Sequence, residues 1–251
     1  MISVVLVGTG NVSKLLFNAF LTTKEVNVKQ VIGRSEKKLN YFKKSAHTST
    51  NFKKLFKAEI YIIAVKDDAI IEVSEKMSSV DGLVVHTSGA IPMEALKVNA
   101  HTGVLYPLQT FTSGKKVDFK EIPICIETSE KDDLALLKRL ANSLSDKVEV
   151  IDSEKRKILH IAAVFSNNFT NYLFTAAKEI CDDNELDFNL LKPLILETAS
   201  KISDMTPRQA QTGPAVRNDQ KTMREHLSLL ENEKHREIYI LLSNAIKDTY
   251  G

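Results

Sequence analysis

Ile2-Ser3-Val4-Val5-Leu6-Val7-Gly8-Thr9-Gly10-Asn11-Val12-Ser13 opens the chain as an apolar run that turns through two closely spaced glycines. An amphipathic stretch follows, from Leu15-Leu16-Phe17 to Phe20-Leu21. A strand that passes through such a turn into a helix has the geometry that seats a dinucleotide pyrophosphate. Gly8 lets the chain turn tightly, Gly10 lets the backbone approach the phosphates, and the N–H groups and dipole of the following helix meet the negative charge. The usual third glycine is replaced by Ser13. The motif is therefore incomplete, and an ordinary strand-to-helix turn is the competing reading.

A second apolar run, 28–32, ends at Gly33-Arg34-Ser35, with Lys37 and Lys38 just beyond. Sites that prefer NAD place an acid here for the ribose 2′-hydroxyl, whereas an Arg accommodates a 2′-phosphate. The sequence therefore points to NADP, bound by Gly8, Thr9, Gly10, Asn11, Val12, Arg34 and Ser35. The alternative is a solvated basic start to a helix over 36–44. Val65-Lys66-Asp67-Asp68 ends a later apolar run, so Val65 and Lys66 are expected along the cofactor, whereas a helix cap is the favoured role for the two acids.

Composition removes other classes. The 251 residues carry 34 Lys and Arg against 32 Asp and Glu, a net charge of +2 with the signs interspersed. Lys53, Lys54 and Lys57 lie close together without aromatic interleaving, so no nucleic-acid patch is expected. Cys125 and Cys181 sit far apart in apolar surroundings, which suggests buried thiols of a reducing compartment and no metal site. The first residues already form a strand rather than a signal peptide, so the protein is expected in the cytoplasm.

Two halves differ in grammar. Apolar runs at Ile2–Val7, 28–32, 59–64, Leu83–His86, 103–105, 122–126 and 148–151 alternate with amphipathic segments such as 68–78 and 131–144. Near-continuous Val/Ile/Leu runs between helices predict parallel strands covered on both faces. After Asp152 the pattern is helical, with Asp152 or Ser153 as cap. The expected organisation is a Rossmann-type α/β domain over 1–151 and an all-helical domain over 152–251. From Ile158 to Ala177 no Asp, Glu, Lys or Arg occurs. At about 100° per residue, Ile161, Phe165, Phe169, Tyr172, Ala176 and Ile180 share an apolar stripe. His160, Asn167 and Asn171 lie opposite it, and Asn168 lies to the side. This predicts a helix buried nearly all round whose polar side faces a cleft or a second subunit; its polar residues argue against a membrane span. A long polar stretch, 205–219, then leads into a helix that Asp219 can cap.

Taken in order, several segments resemble those of bacterial Rossmann-like proteins with a C-terminal domain of unknown function, relatives of pyrroline-5-carboxylate reductase, ketopantoate reductase and the deazaflavin-dependent NADP oxidoreductases. They are Gly8-Thr9-Gly10-Asn11-Val12, Ala64-Val65-Lys66-Asp67-Asp68-Ala69-Ile70, His86-Thr87-Ser88-Gly89 and Tyr106-Pro107-Leu108-Gln109-Thr110-Phe111. Further on come His160-Ile161-Ala162-Ala163-Val164-Phe165-Ser166-Asn167-Asn168-Phe169 and Thr212-Gly213-Pro214-Ala215-Val216-Arg217-Asn218-Asp219. The resemblance implies an N-terminal NADP-binding domain and a helical C-terminal domain of the 6-phosphogluconate-dehydrogenase type, which commonly dimerises. It supplies no substrate. Related hydroxyacid dehydrogenases carry a catalytic Lys one turn before an Asn; if Asn168 matches that Asn, Val164 stands in the Lys position. No Tyr is followed four residues later by Lys.

The candidate catalytic residues are His86 and Ser88, just past a strand end where open parallel sheets bind ligands, and His160 with Asn168 on the uncharged helix. Asn167, Tyr106 and Arg217 are candidates for holding substrate. Each has a structural alternative: His86 completing a turn, Ser88 capping a helix, Tyr106 packed in a turn, His160 hydrogen-bonded in the core, and Arg217 paired with Asp219. The leading expectation is an NADP(H)-dependent oxidoreductase moving hydride to or from a small carbonyl or imine. The rival is a non-catalytic NADP-binding or sensing homodimer, favoured by the missing Lys; a deazaflavin-linked oxidoreductase rests on relatedness alone.

Overall fold

The computed structural model describes residues 1–77, 80–112 and 117–250. Its first strands are β1 (Ile2–Val7), β2 (Val26–Ile32), β3 (His47–Ser49) and β4 (Ile60–Ile63), with helices α1 (Asn11–Thr22) and α2 (Glu36–Leu39) between them. There follow α3 (Ile70–Glu75), β5 (Leu83–His86), β6 (Thr102–Pro107), β7 (Ile124–Thr128), α4 (Lys131–Asn142), β8 (Val148–Val150) and α5 (Ser153–Ala163). The eight strands lie in one sheet of order β3-β2-β1-β4-β5-β6-β7-β8.

Both faces of the sheet are covered, and β1 shows why its sequence lacks alternation. Ile2, Val4 and Leu6 belong to one apolar cluster, with Leu16, Phe17 and Phe20 of α1, whereas Val5 and Val7 belong to another, with Ile70 and Val73 of α3. Successive strand residues point to opposite faces, so a strand buried on both sides reads as a continuous apolar run.

Three details depart from the sequence expectation. The short β3 has no apolar run of its own. β7 pairs antiparallel to β6, with Leu105 opposite Ile126; the described residues of the link from β6 to β7 contain no α-helix, and an antiparallel pair needs no crossover helix. The segment expected as a helix over 68–78 begins as a 3₁₀ turn at Asp67–Ala69 and continues as α3, while Ser78 lies outside the described residues.

Contacts divide the chain into two units, Met1–Val164 and Phe165–Gly251. The first thus includes α5, one helix more than the change of grammar near 151–153 suggests. Asp152 caps α5 by accepting from the Lys155 backbone N–H at 2.8 Å. Buried Arg156 then ties α5 to Glu127 of β7.

The second unit is helical: α6 (Thr170–Asp183), α7 (Lys192–Lys201), α8 (Pro207–Ala210), α9 (Gln220–Leu229) and α10 (Glu233–Tyr250). Asp219 caps α9 by accepting from Thr222 N–H at 3.1 Å. Gly251, the last residue of the expected second domain, lies outside the described residues. Its buried apolar side chains are few among the described residues (Ala176, Cys181, Ala215 and Met223), whereas Leu190, Leu194, Leu196, Leu229 and Leu241 are all more than 60% exposed. A π segment, Val164–Phe169, precedes α6.

That segment overturns two expectations. Its wider i→i+5 turns break the uniform 100° phase that placed His160, Asn167 and Asn171 on one face. The apolar stripe is also open in the single chain: Phe165 is 65% and Phe169 51% exposed. No described helix is long and apolar enough to cross a membrane.

Candidate functional site

The glycine turn lies at the carboxyl edge of β1. Gly8 has φ +132°, and a Cβ there would stand 2.0 Å from the Ala64 carbonyl oxygen, so only glycine fits. Gly10 differs: its φ is −79°, and a Cβ would meet nothing within 4 Å. Nothing internal requires glycine at Gly10; the open space in front of it is what a close-lying phosphate would use. No side chain caps α1, whose first N–H groups are left for a ligand. Ser13, in place of the third glycine, is fully buried, and its hydroxyl donates to the Gly8 carbonyl at 2.7 Å. The serine thus closes the same turn by a hydrogen bond.

A cleft of about 840 Å³ runs from this turn past Arg34, Ser35, Val65 and Lys66. Gly8, Thr9, Gly10, Asn11 and Val12 line it together with them. Arg34 is exposed and makes no hydrogen bond or ion pair among the described residues. Ser35 caps α2, its hydroxyl oxygen accepting from Lys38 N–H at 3.4 Å. Asn11 donates its side-chain amide to the Phe111 carbonyl at 3.2 Å, so toward a cofactor it offers its backbone N–H. Lys38, noted beside Arg34 in the sequence, also lines the cleft, as do Phe52, Glu72, Lys76, Gln109 and Phe111, which sequence reasoning missed. Lys76 donates to Glu72 at 2.5 Å, and that hydrogen bond holds the Glu72 carboxyl below its usual range. The cleft's size, free guanidinium and bare glycine suit a dinucleotide bearing a 2′-phosphate. Among the described residues no cluster of His, Cys, Asp or Glu could hold a metal ion.

The next carboxyl-edge groups come from β5 and β6. His86 pairs with Val104 in the sheet, and Tyr106 stands two residues further along β6. The phenol oxygen of Tyr106 lies 3.0 Å from His160 Nδ1 of α5, with the rings edge to face. Gly89 makes this contact possible: a Cβ there would stand 2.6 Å from His160 Nδ1 and 2.7 Å from Tyr106 Cζ. Burial, with the nearby Cys125 thiol adding to it, pushes the Tyr106 phenol up to about 12. Tyr106 therefore keeps its proton at neutral pH, and its phenol beside half-buried His160 is able to donate as a neutral group. Such a phenol–imidazole pair can deliver a proton to an oxygen or nitrogen that becomes basic during reduction.

His86, expected as an acid, is instead a neutral core histidine. It is fully buried, and that burial, reinforced by the Arg156 guanidinium, pushes it down to about 4. Its Nδ1 accepts from the Ser88 N–H at 3.2 Å, which leaves the ring proton on Nε2. Nε2 itself finds no partner of good geometry among the described residues. Ser88 shapes the turn that carries Gly89: its hydroxyl oxygen accepts from the N–H groups of Ala90 and Ile91, each at 3.1 Å.

The remaining candidates belong to the helical unit. Asn167 and Asn168 lie in the π segment and are exposed, as is Arg217. Arg217 forms no ion pair with Asp219, whose carboxyl is held low first by the Thr222 N–H. His226, in α9, is bound to the Tyr239 hydroxyl at 2.8 Å and so ties α9 to α10.

Comparison with known proteins agrees with this geometry. Residues 3–88 match the family described as NADP oxidoreductase, coenzyme F420-dependent, and residues 122–246 match a domain of unknown function, DUF2520. A Bacteroides fragilis protein, provisionally described as an NADP oxidoreductase, is 39% identical over 98% of both chains, with a TM-score of 0.90. The fold is shared at low identity with a Myxococcus stipitatus imine reductase in complex with NADP+ (13% identity, 99% and 92% of the two chains, TM-score 0.66). It is shared likewise with a Plasmodium falciparum pyrroline carboxylate reductase with NADP bound (14%, 99% and 97%, 0.62). No curated protein matches the chain.

Proposed function

Because the chain belongs to the family that joins an NADP oxidoreductase domain to the DUF2520 domain, we infer that it is an NADP(H)-dependent oxidoreductase acting on a small carbonyl or imine. The observation that carries this reading is the Tyr106–His160 contact over Gly89, at the same sheet edge as the glycine turn. Gly8, Gly10 and the first N–H groups of α1 would receive the pyrophosphate, and Arg34 the 2′-phosphate. The bound nicotinamide would supply or accept hydride. Tyr106 would hold the proton at its phenol oxygen beside the reacting atom. His160 Nδ1 would replace that proton, so no strongly basic phenolate has to persist. This route needs no Lys at position 164.

The helical unit supports a second part of the reading, a homodimer. A unit of 87 residues that buries so few apolar side chains lacks a sufficient core of its own. A second copy of the same chain would cover the exposed leucines and the Phe165/Phe169 stripe, and Asn167, Asn168 and Arg217 are then the unit's candidate polar contacts to substrate.

The test is melting with NADPH and NADH, followed by turnover of cyclic imines, 2-keto acids and aldehydes. Ligand at a hundredfold excess over its dissociation constant adds about 2.7 kcal/mol, several degrees for a chain of this length. Stabilisation by NADPH above NADH and oxidation of NADPH by one substrate class are the expected results. Absence of any shift refutes the cofactor assignment; binding without turnover replaces the enzyme by a nucleotide sensor.

A further inference from the structure

We propose that Arg156 is a positioning residue that holds His160 and Gly89 in register, so that the Tyr106–His160 contact exists only while Arg156 bridges α5 to the 88–93 loop. This rests on the reading of that pair as the proton source, but it is a separate statement about how the pair is built. Arg156 is fully buried, and Glu127, its counter-ion, is 13% exposed. One guanidinium nitrogen donates to Glu127 Oε2 at 2.5 Å; the other donates to the Ile91 carbonyl at 2.7 Å and to Ser153 Oγ at 3.0 Å. Ser153 in turn donates its hydroxyl to Glu127 at 2.7 Å and accepts from Met93 N–H at 3.0 Å. One cluster therefore joins β7, the start of α5 and the loop that follows Gly89.

The spacing explains what the cluster controls. His160 follows Arg156 by four residues, one helical turn along the same face. Ile91, which accepts from Arg156, follows Gly89 by two. Gly89 has no slack toward the pair, since even a methyl group there would overlap both rings. A small slide of the loop against α5 would thus separate or crush Tyr106 and His160. Stability alone is a poor account of such a group. A buried ion pair adds little over apolar side chains of the same volume, and Arg156 Nε has no hydrogen-bond partner among the described residues. A planar fork can reach Glu127, Ser153 and the Ile91 carbonyl together, which a lysine ammonium cannot.

The experiment uses the full chain with ¹⁵N-labelled histidine and follows the His160 Nδ1 resonance in Arg156→Lys, Ser153→Ala and Tyr106→Phe, with His160→Gln for assignment. Tyr106→Phe marks the position of the resonance without the contact. Arg156→Lys and Ser153→Ala are expected to move it toward that position, with His226 and His235 unmoved and the NADPH dissociation constant within about twofold of wild type. Ser153→Ala keeps the ion pair but removes the hydroxyl that links Arg156 to the Met93 N–H, so it loosens the 88–93 loop from the cluster and decides the question if Arg156→Lys does not fold. A His160 resonance unmoved by either substitution, though moved by Tyr106→Phe, overturns the proposal. Failure of the enzymatic reading would show elsewhere, as unaltered turnover in Tyr106→Phe.

Discussion

Tyr106, His160 and Gly89 make up the proposed proton site, and substitutions at Tyr106 and at Gly89 have different expected signatures. Tyr106→Phe removes the proton and keeps the ring, so kcat should fall about 10²–10⁴-fold, the usual worth of a positioned acid, with NADPH affinity unchanged in fluorescence titration. A kcat equal to wild type would exclude Tyr106 as the acid. Gly89→Ala should leave the cofactor cleft intact but force the two rings apart, costing about 1–3 kcal/mol of stability as overpacking does; denaturant titration and turnover check the two effects together. His86 gives a pH prediction. Its folded pKa of about 4 lies below the ordinary histidine value of 6.5, so the unfolded chain takes up the proton first. The stabilisation is complete above pH 6.5 and is lost as the pH falls toward 4, about 3 kcal/mol over that window. In His86→Asn the loss of stability between pH 7 and 4 should be smaller by about that amount; an unchanged slope would show that His86 is not buried neutral.

At the scale of elements, the turn between β1 and α1 separates a structural glycine from a ligand-directed one. Gly8→Ala would place a methyl group on the Ala64 carbonyl at a positive φ and should destabilise the β1–β4 pairing severely. Gly10→Ala has ordinary backbone angles and open space, so its melting temperature should match wild type while NADPH affinity falls. Equal NADPH affinity in Gly10→Ala would remove the phosphate from that position. The turn was legible in the sequence because the requirement is local: a strand, two glycines and a helix, all between Ile2 and Thr22. Ser13 was legible only as a departure, since its bond to the Gly8 carbonyl depends on the turn having formed. The uncharged helix was legible in composition and misread in phase, because a π segment leaves no mark in a pattern counted at 100° per residue.

For the whole molecule, the contrast between the units governs what can be expected. The Rossmann-type unit buries strands on both faces, and the helical unit exposes its leucines. Sedimentation should find a dimer, and Phe165→Asp, placing a charge in the 65%-exposed stripe, should shift it toward monomer. A wild-type chain that sediments as a monomer at all concentrations tested would refute the homodimer.

The sequence by itself determined the alternation of strands and helices, apart from the short β3, and the glycine turn with Arg34 beyond it, because periodicity and a short turn are encoded by neighbours along the chain. Only the tertiary structure brought together the proposed proton source, Tyr106 and His160. Glu127 and Arg156 sit in unremarkable local sequence, Arg156 among Glu154, Lys155 and Lys157 as if on a solvated face. Their meaning lies in contacts between residues 29 and 65 positions apart. His86 shows the converse: its residue type and strand-end position suggested an acid, and complete burial beside a guanidinium made it neutral. Proton affinity depends on the dielectric and charges around a group, and those are set by the fold.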